Sequence, residues 1–536
     1  MEKDFDAIVV GAGFGGIYMS KKLIDQGLSV KVIEAASDVG GTWYWNRYPG
    51  AMSDTGSHLY RYSWDLDDLR QYPWERTYVR QAEVLAYLQH VVTRHRLRQY
   101  MEFDTEVISA DWDDSSDLWV IQTSTGQKLA AKYLVTAVGL LSRQNFPNYP
   151  GIGQFKGELY HTGSWPKTHD FKGKRVGVIG SGSTGVQVIT ALADEVKHLL
   201  CFQRTPQYVV PSGDVVATPE YRKEINDSYE DIWKQAKNSQ FAFGFEESKN
   251  PTMSVSSEER EKIFEEAWQQ GNGFRFMFGT FCDISYDEEA NKEAADFIRR
   301  KIRATVRDPV KASKLIPTDY YARRPLCDTG YYQKFNRDNV DIVDIKEVPI
   351  THFTEKGIVT SDGTEHELDV VICATGFEAV DGNYTRIPIR GRKGVTLKER
   401  WAGGPSSYLG VSVPDYPNLF MILGPNGPFT NLPPTIETQV EFISDLISHA
   451  NNQAPALING TKRPVVEATV EAEEKWTDLC DKMSANSLFR KGDSWIFGAN
   501  VPGKKHSVLF YFGGLGNYRM VLDDVIRAGY KGFLGY

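Results

Sequence analysis

Three observations predict an α/β fold. A short apolar run leads into the glycine turn Gly11-Ala-Gly13-Phe-Gly15-Gly16, and the same arrangement recurs at Gly180-Ser-Gly182-Ser-Thr-Gly185. Each turn opens an amphipathic stretch that returns to a second strand-like run. A long region of helical character, from about 215 to 320, follows the second unit. Strand, glycine turn, helix and strand in that order predict two Rossmann-like dinucleotide-binding domains with a helical insertion in the second.

In the first unit, Asp6-Ala-Ile-Val-Val10 is the strand, Ile17, Leu23 and Ile24 give the helix its apolar positions, and Ser29–Glu34 is the second strand. Glu34 stands 23 residues after Gly11. The glycines have distinct mechanical roles. Gly11 permits the tight turn, Gly13 lets the backbone approach a pyrophosphate, and Gly16 lets helix and strand pack closely. The helix N-terminus then faces phosphate, and Glu34 can accept hydrogen bonds from a ribose diol.

The second unit repeats the design from Lys174 to Arg204, with a strand to Ile179, a helix from about Ser183 to Ala193 and a strand from His198. Its second strand ends in Arg204 and Thr205, not in an acid. Glutamate there would repel a 2′-phosphate, whereas arginine attracts one, so this unit is expected to prefer NADPH to NADH. Leu134–Gly139 and Val370–Gly376 are further strands ending in small-residue turns, of the kind that carries the chain between the domains of two-dinucleotide flavoproteins. Within the helical region, Ser256-x-x-Glu259 has the form of a capping box, and Ile263, Phe264, Ala267 and Trp268 repeat at helical spacing. The expected boundaries are 1–142 and 376–536 for the two parts of an FAD domain, 143–214 and 326–375 for those of an NADPH domain, and 215–325 for the insertion.

Composition narrows the class of protein. Of 536 residues, 61 Lys and Arg against 70 Asp and Glu leave a net charge of −9, which offers no global basic field for nucleic acid or anionic lipid. The five cysteines form no CxxC pair and no metal-ligand spacing, so neither a disulfide scaffold nor a metal site is expected. The N-terminus runs directly into a strand, and the longest apolar stretch, Tyr133–Leu141, is far short of a bilayer span. A cytoplasmic protein with no obligate protein partner is expected.

The segment Phe155-x-Gly157-x-x-x-His161-x-x-x-Trp165-Pro166 resembles the fingerprint of class B flavin monooxygenases in their Baeyer–Villiger form. A second signature of that family matches Gly41-x-Trp43-x-x-x-x-Tyr48-Pro49-Gly50-x-x-x-Asp54. Longer runs, 40–50, 324–331, 423–432 and 494–500, are similar to the cyclohexanone monooxygenase branch. Spacing alone makes His161 a satisfied interdomain histidine and Trp165 a packed aromatic.

The resemblance implies the chemistry: NADPH reduces FAD, the reduced flavin captures O2 as a peroxide, and this attacks a ketone to give an ester or lactone. It implies that Arg324 is the essential arginine, a permanent cation suited to an anionic adduct, and that Asp54 positions it. Arg323 falls where many relatives carry a lysine near the NADP 2′-phosphate. Contacts to the cofactors are further implied for Gly11, Gly13, Phe14, Gly16, Glu34, Thr42, Trp43, Asp54, Tyr60 and Val107, and for Gly180, Ser181, Gly182, Ser183, Thr184, Gly185, Gln187, Arg204, Thr205 and Trp495. Leu140, Leu141, Phe243, Phe429, Thr430, Leu432, Trp495 and Phe510 match positions lining the ketone pocket. Pro433-Pro434 is expected to start a helix whose apolar positions are Ile436, Val440, Ile443 and Ile447, with its positive end toward the flavin.

Three rival readings are weaker. A nitrogen- or sulfur-oxidising monooxygenase shares the first fingerprint but is disfavoured by the 43–54 signature and Arg324. A disulfide reductase lacks its cysteine pair. A nucleotide sensor without turnover has no need of Asp54 and Arg324.

Overall fold

A computed structural model of the chain describes residues 2–457, 465–492, 494–501 and 503–535. Its larger sheet is built from β1 (Phe5–Val10), β2 (Val30–Ile33), β3 (Met101–Glu102), β4 (Val107–Asp113), β5 (Leu118–Thr123) and β6 (Lys128–Thr136), in the spatial order β4-β5-β6-β1-β2-β3. Two later segments join it, Ile389–Arg390 beside β4 and Leu419–Met421 beside the end of β6. The helix α1 (Phe14–Asp25) connects β1 to its parallel neighbour β2. Successive residues of β1 serve different cores: Ala7 and Val9 pack with Ile17 of α1, Ile8 and Val10 with Leu134 and Leu419. A strand covered on both faces must be apolar throughout, which is why it reads as a continuous run rather than an alternation.

The smaller sheet holds the second glycine unit. It runs β10-β9-β8-β11-β7, all parallel, from β7 (Glu158–His161), β8 (Arg175–Ile179), β9 (His198–Gln203), β10 (Val340–Asp344) and β11 (Val370–Cys373), with α2 (Ser183–Leu192) between β8 and β9. The insertion departs after Val209–Pro211 and returns at Leu326–Asp328, and these two segments pair in parallel, closing the loop at its base.

Between them stand α3 (Pro219–Asn238), α4 (Ser257–Gln270), α5 (Glu288–Thr305) and α6 (Pro309–Leu315). The hydroxyls of Thr218 and Ser256 and the carboxylates of Asp287 and Asp308 cap their first turns. The expected capping box at Ser256 is only half formed. Ser256 Oγ accepts the Glu259 N–H (3.2 Å), but the Glu259 carboxylate does not return to the cap and lies 4.0 Å from Lys262 instead. On an exposed helix face a lysine three residues away competes with the cap amide. The helix after the double proline, α7 (Leu432–Leu457), begins one residue before Pro433 and buries Ile436, Val440, Ile443 and Ile447 against the larger sheet's α1 side.

The Tyr48-Pro49-Gly50 turn is where the first unit meets α2. Tyr48 donates from its hydroxyl to Gln187 Oε1 (2.8 Å), and Gln187 Nε2 donates to the Met52 carbonyl (3.2 Å). Gly50 has φ +83°, and a Cβ there would lie 2.5 Å from the Gln187 carbonyl oxygen. That part of the signature is a docking surface that only glycine can form.

Candidate active site between two glycine loops

At the first loop Gly11 has φ +101°, and a Cβ on Gly16 would sit 1.8 Å from the Gly11 carbonyl oxygen. Gly41 presses on this loop from outside, since its own Cβ would stand 2.9 Å from Gly13 Cα. Glu34 is buried, and its carboxylate accepts the amides of Ala12 (2.6 Å) and Ala36 (2.8 Å). Burial raises its pKa and the backbone amides work against that rise. The second loop has the same backbone, with Gly180 at φ +108° and a Gly185 Cβ 2.1 Å from the Gly180 carbonyl oxygen. At Gly182 a Cβ would meet nothing within 4 Å. Arg204 is exposed and has no carboxylate at ion-pair distance among the described residues. Arg323, the other cation expected near the phosphate, is held by Asp319 at 2.5 Å.

One cavity of about 1030 Å³ joins most of these parts. It is lined by Gly180, Ser181, Gly182, Ser183, Thr184, Gln187, Arg204, Thr205 and Arg323 on one side, and by Thr42, Trp43, Asp54, Tyr60 and Arg324 on the other. All eight residues expected at a substrate pocket line it too: Leu140, Leu141, Phe243, Phe429, Thr430, Leu432, Trp495 and Phe510. The structure does not bring Gly11, Gly13, Phe14, Gly16, Glu34, Val107 or Gly185 to this lining. Gly16 and Gly185 face their own loops, and Val107 is buried within β4.

The charged centre of the cavity wall is Arg324. Its Nη1 lies 2.5 Å from Asp54 Oδ2, and its guanidinium stands 5.1 Å from the centre of the Phe274 ring. Burial disfavours the cation, but the Asp54 carboxylate beside it outweighs burial and holds the Arg324 pKa above its ordinary value. Arg324 therefore stays charged on the wall of the cavity. On the same wall Trp43 Nε1 donates to the Tyr60 hydroxyl (3.2 Å). The apolar walls are aromatic: Phe243 stacks on Phe274 at 3.9 Å, and Phe429 meets Phe510 and Phe512 edge-on or tilted, each at 5.4 Å. Trp495 leans on Phe510 at 5.8 Å.

Sequence reasoning missed three residues here. Phe274 completes the wall between Arg324 and Phe243. Asn272, at φ +77°, donates to the Asp54 carbonyl (2.8 Å) and accepts from the Phe274 amide (3.0 Å), fixing acid and wall together. Asn431 lines the cavity between Thr430 and Leu432; it takes the Thr55 hydroxyl on Oδ1 (3.1 Å) and donates from Nδ2 to the Ala242 carbonyl (3.0 Å). The one signal for Asn272 was its place in a Gly-Asn-Gly sequence, a turn mark.

His161 Nδ1 accepts the Gly163 amide (3.0 Å), and the ring also meets the Gly376 backbone. Burial pushes the imidazole down to about 4, so the ring is neutral at physiological pH and packs edge-on against Phe377. Trp165 is a packed aromatic as expected, donating to His169 Nδ1 (3.2 Å).

Comparison with known proteins gives consistent matches. Residues 6–216 match the family described as flavin-binding monooxygenase-like. A Baeyer–Villiger monooxygenase of Pseudooceanicola batsensis is 53% identical over 99% of this chain and 96% of its own. A phenazine N-monooxygenase of Lysobacter antibioticus is 51% identical over 99% and 97%. The crystal structure of a Rhodococcus cyclohexanone monooxygenase bound to NADP+ superposes with a TM-score of 0.97 at 57% identity, covering 100% of this chain and 99% of that one.

Proposed function

The chain belongs to the Baeyer–Villiger branch of the flavin-binding monooxygenases, and from that premise we propose that it uses NADPH and O2 to insert one oxygen atom beside the carbonyl of a cyclic ketone, giving a lactone. The observation that carries this reading is the Arg324–Asp54 pair on the wall of an aromatic cavity shared with the second glycine loop.

The residues present suit both cofactors. The close-packed loop at Gly11 and Gly16, with Glu34 at its ribose position, fits the adenosine half of FAD. The open space at Gly182 and the exposed Arg204, without a carboxylate partner among the described residues, fit a 2′-phosphorylated nucleotide. When bound, FAD supplies oxygen activation and NADPH the hydride. Everything else falls to the chain. Arg324 stabilises negative charge that develops at the ketone oxygen, and Asp54 keeps the guanidinium aimed there. The stacked Phe243 and Phe274 and the Phe429–Phe510 corner exclude water and hold the ring of the substrate. Trp495, against Phe510, lines the same space. Reduced thiols throughout, with Cys201, Cys327, Cys373 and Cys480 buried, favour the cytoplasm as the compartment.

Purified protein incubated with NADPH, O2 and cyclohexanone should form caprolactone mole for mole with NADPH consumed, measured by gas chromatography. NADPH oxidation with hydrogen peroxide as the sole product would overturn the reading. A second reading, oxygenation of an aromatic ring nitrogen, is favoured by the phenazine N-monooxygenase at 51% identity. Phenazine in place of cyclohexanone decides it: that route attacks through an electron-rich nitrogen, forms no anionic adduct and should tolerate loss of Arg324.

A further inference from the structure

Behind the cavity wall a row of aromatic rings continues in contact to the edge of the molecule. Trp43 meets Tyr60 with ring centroids 5.4 Å apart, and Tyr60 meets Phe14 at 5.4 Å. Phe14 meets Tyr62 at 5.1 Å, and Tyr62 meets Tyr18 at 5.9 Å and Trp64 at 5.3 Å. Tyr18 and Trp64 stack on each other at 5.2 Å with an interplanar angle of 5°. Trp64 is only partly buried and is flanked by the His95 ring at 4.7 Å and the Lys21 ammonium at 5.8 Å.

From this geometry we propose that the row is an electron relay, through which oxidising equivalents arising at the cavity are conducted to Trp64 and quenched by reductants in solution. The proposal rests on the oxygenase reading above, which makes the cavity a source of hydrogen peroxide whenever oxygen transfer fails.

The choice of side chains supports it. Five of the six rings in the row are tyrosine or tryptophan, the oxidisable aromatics, although Tyr62 and Tyr18 are only 2% and 4% exposed. A buried phenol must find a partner for its hydroxyl or lose stability, so packing alone favours phenylalanine. The insertion mixes the two, burying Phe264, Phe276, Phe281 and Phe297 beside Tyr229, Tyr321 and Trp233. In the row each buried phenol has a hydrogen-bond partner. Tyr62 donates to the Phe14 carbonyl (2.7 Å) and Tyr18 to Glu441 Oε1 (3.3 Å). The second contact matters because a phenol gives up its electron readily only when its proton can leave at once, and Glu441 is a base in place.

The electron count closes. Hydrogen peroxide that takes one electron from the reduced flavin splits into hydroxide and a hydroxyl radical, and this radical takes one electron from Trp43 and becomes a second hydroxide. Trp43 is refilled through Tyr60 and Tyr62 from Tyr18, whose phenol proton moves to Glu441. A thiol or ascorbate returns one electron through Trp64, Glu441 returns the proton, and no bond of the chain breaks. Phe14 takes no charge itself; it keeps Tyr60 and Tyr62 in contact with one ring between them.

The test uses the FAD-loaded protein, in which a blue flash turns the bound flavin into a one-electron oxidant. Transient absorption should then show an aromatic radical that outlives recombination in the native protein. In the double variant Tyr18→Phe, Trp64→Phe the radical should recombine several-fold faster, and Trp64→Tyr should restore its lifetime. Lactone turnover should be unchanged in all three. Under a peroxide challenge, peptide mass spectrometry should find oxidation shifted to Trp43 and Tyr60 in the double variant. An unaltered radical lifetime with FAD bound would sink the relay alone, whereas native protein that binds no FAD would sink the oxygenase reading and the relay with it.

Discussion

At the first glycine loop and at the second the backbone does the same work, and the side chains do opposite work. Gly11 and Gly180 turn with nearly the same positive φ, and each is backed by the small-residue turn of a crossover strand. A Cβ on Gly11 would lie 2.6 Å from the Ala137 carbonyl oxygen, one on Gly180 2.5 Å from that of Ala374. The strand after the first loop ends in a buried carboxylate already bonded to two amides; the strand after the second ends in an exposed arginine without a carboxylate partner among the described residues. Gly13 is closed over by Gly41, while Gly182 opens on free space. The difference teaches that one site is built to hold a resident group and the other to exchange a diffusing one. The reaction space lies between them.

The largest effects should come from the shared backbone, and they should differ in kind. Gly16→Ala drives a methyl into the Gly11 carbonyl, and Gly185→Ala does the same to Gly180. Gly16→Ala should yield little folded protein and none with a flavin spectrum. Gly185→Ala should keep its flavin, bleach with dithionite and fail to bleach with NADPH. If Gly185→Ala also emptied of flavin, the two sites would not be separable and the comparison would break.

Next in size is Arg324, which belongs to neither loop. Arg324→Ala should still bind flavin and accept hydride, but lactone formation should fall by about a hundred- to a thousandfold, the range for losing one donor to a developing oxyanion. Hydrogen peroxide should account for the NADPH consumed. Arg324→Lys keeps the charge but not the planar fork that reaches Asp54 and the cavity together, so only slight rescue is expected. Lactone yield per NADPH is the measurement; a value near that of the native protein in Arg324→Ala would require another cation.

What was legible in the sequence follows from how local each device is. The glycine loops could be read because their geometry is set within six residues, and the opposed charges at 34 and 204 because strand length fixes where each falls. The helices of the insertion were legible from apolar spacing, but the Ser256 cap was overread, since pairing with Lys262 depends on side-chain freedom that spacing does not encode. Asn272 and Asn431 were illegible for a different reason. Their partners, Asp54 and Ala242, lie far away in the chain, and an asparagine in a turn looks the same whether it ties two walls or none. His161 fell between: its burial was foreseen, its partners, the Gly163 amide and the Gly376 backbone, were not, because spacing does not say which groups a ring nitrogen will meet.

Smaller again should be the effect of Arg204, which sharpens the contrast in charge. Arg204→Ala should weaken NADPH by about ten- to a hundredfold, the loss of one charge-assisted phosphate contact, and leave NADH nearly as before. Arg323→Ala should do less, because Asp319 already neutralises it. Stopped-flow flavin reduction at varied nucleotide concentration separates the two, and equal losses for NADPH and NADH would remove the assignment of Arg204 to the phosphate.

The smallest effect should appear where the two halves are tied across the cavity, at Asn431. Its Oδ1 takes the Thr55 hydroxyl, next to Asp54 in the first unit, and its Nδ2 reaches the Ala242 carbonyl, next to Phe243 in the insertion. Its backbone amide adds a bond to the Phe241 carbonyl (2.9 Å). One amide thus sets the distance between the acid that holds Arg324 and the ring that walls the ketone. Asn431→Asp keeps the acceptor for Thr55 but turns the donor into a second acceptor facing the Ala242 carbonyl, so the Phe243 wall should move outward. Thr55→Val cuts the other tie and leaves that wall in place. Each removes a hydrogen bond worth about 0.5–1.5 kcal/mol, or roughly a two- to tenfold change in how a substituted ring partitions between orientations. With a racemic 2-substituted cyclohexanone, Asn431→Asp should shift the enantiomer ratio of the lactone and raise the ketone KM more than it lowers kcat, while the rate of flavin reduction by NADPH holds. Thr55→Val should instead raise the share of NADPH lost as peroxide, because it loosens Asp54 and not the wall. If both variants gave the native enantiomer ratio and the native peroxide share, the tie would be packing alone, and selectivity would have to be set by the aromatic rings without it.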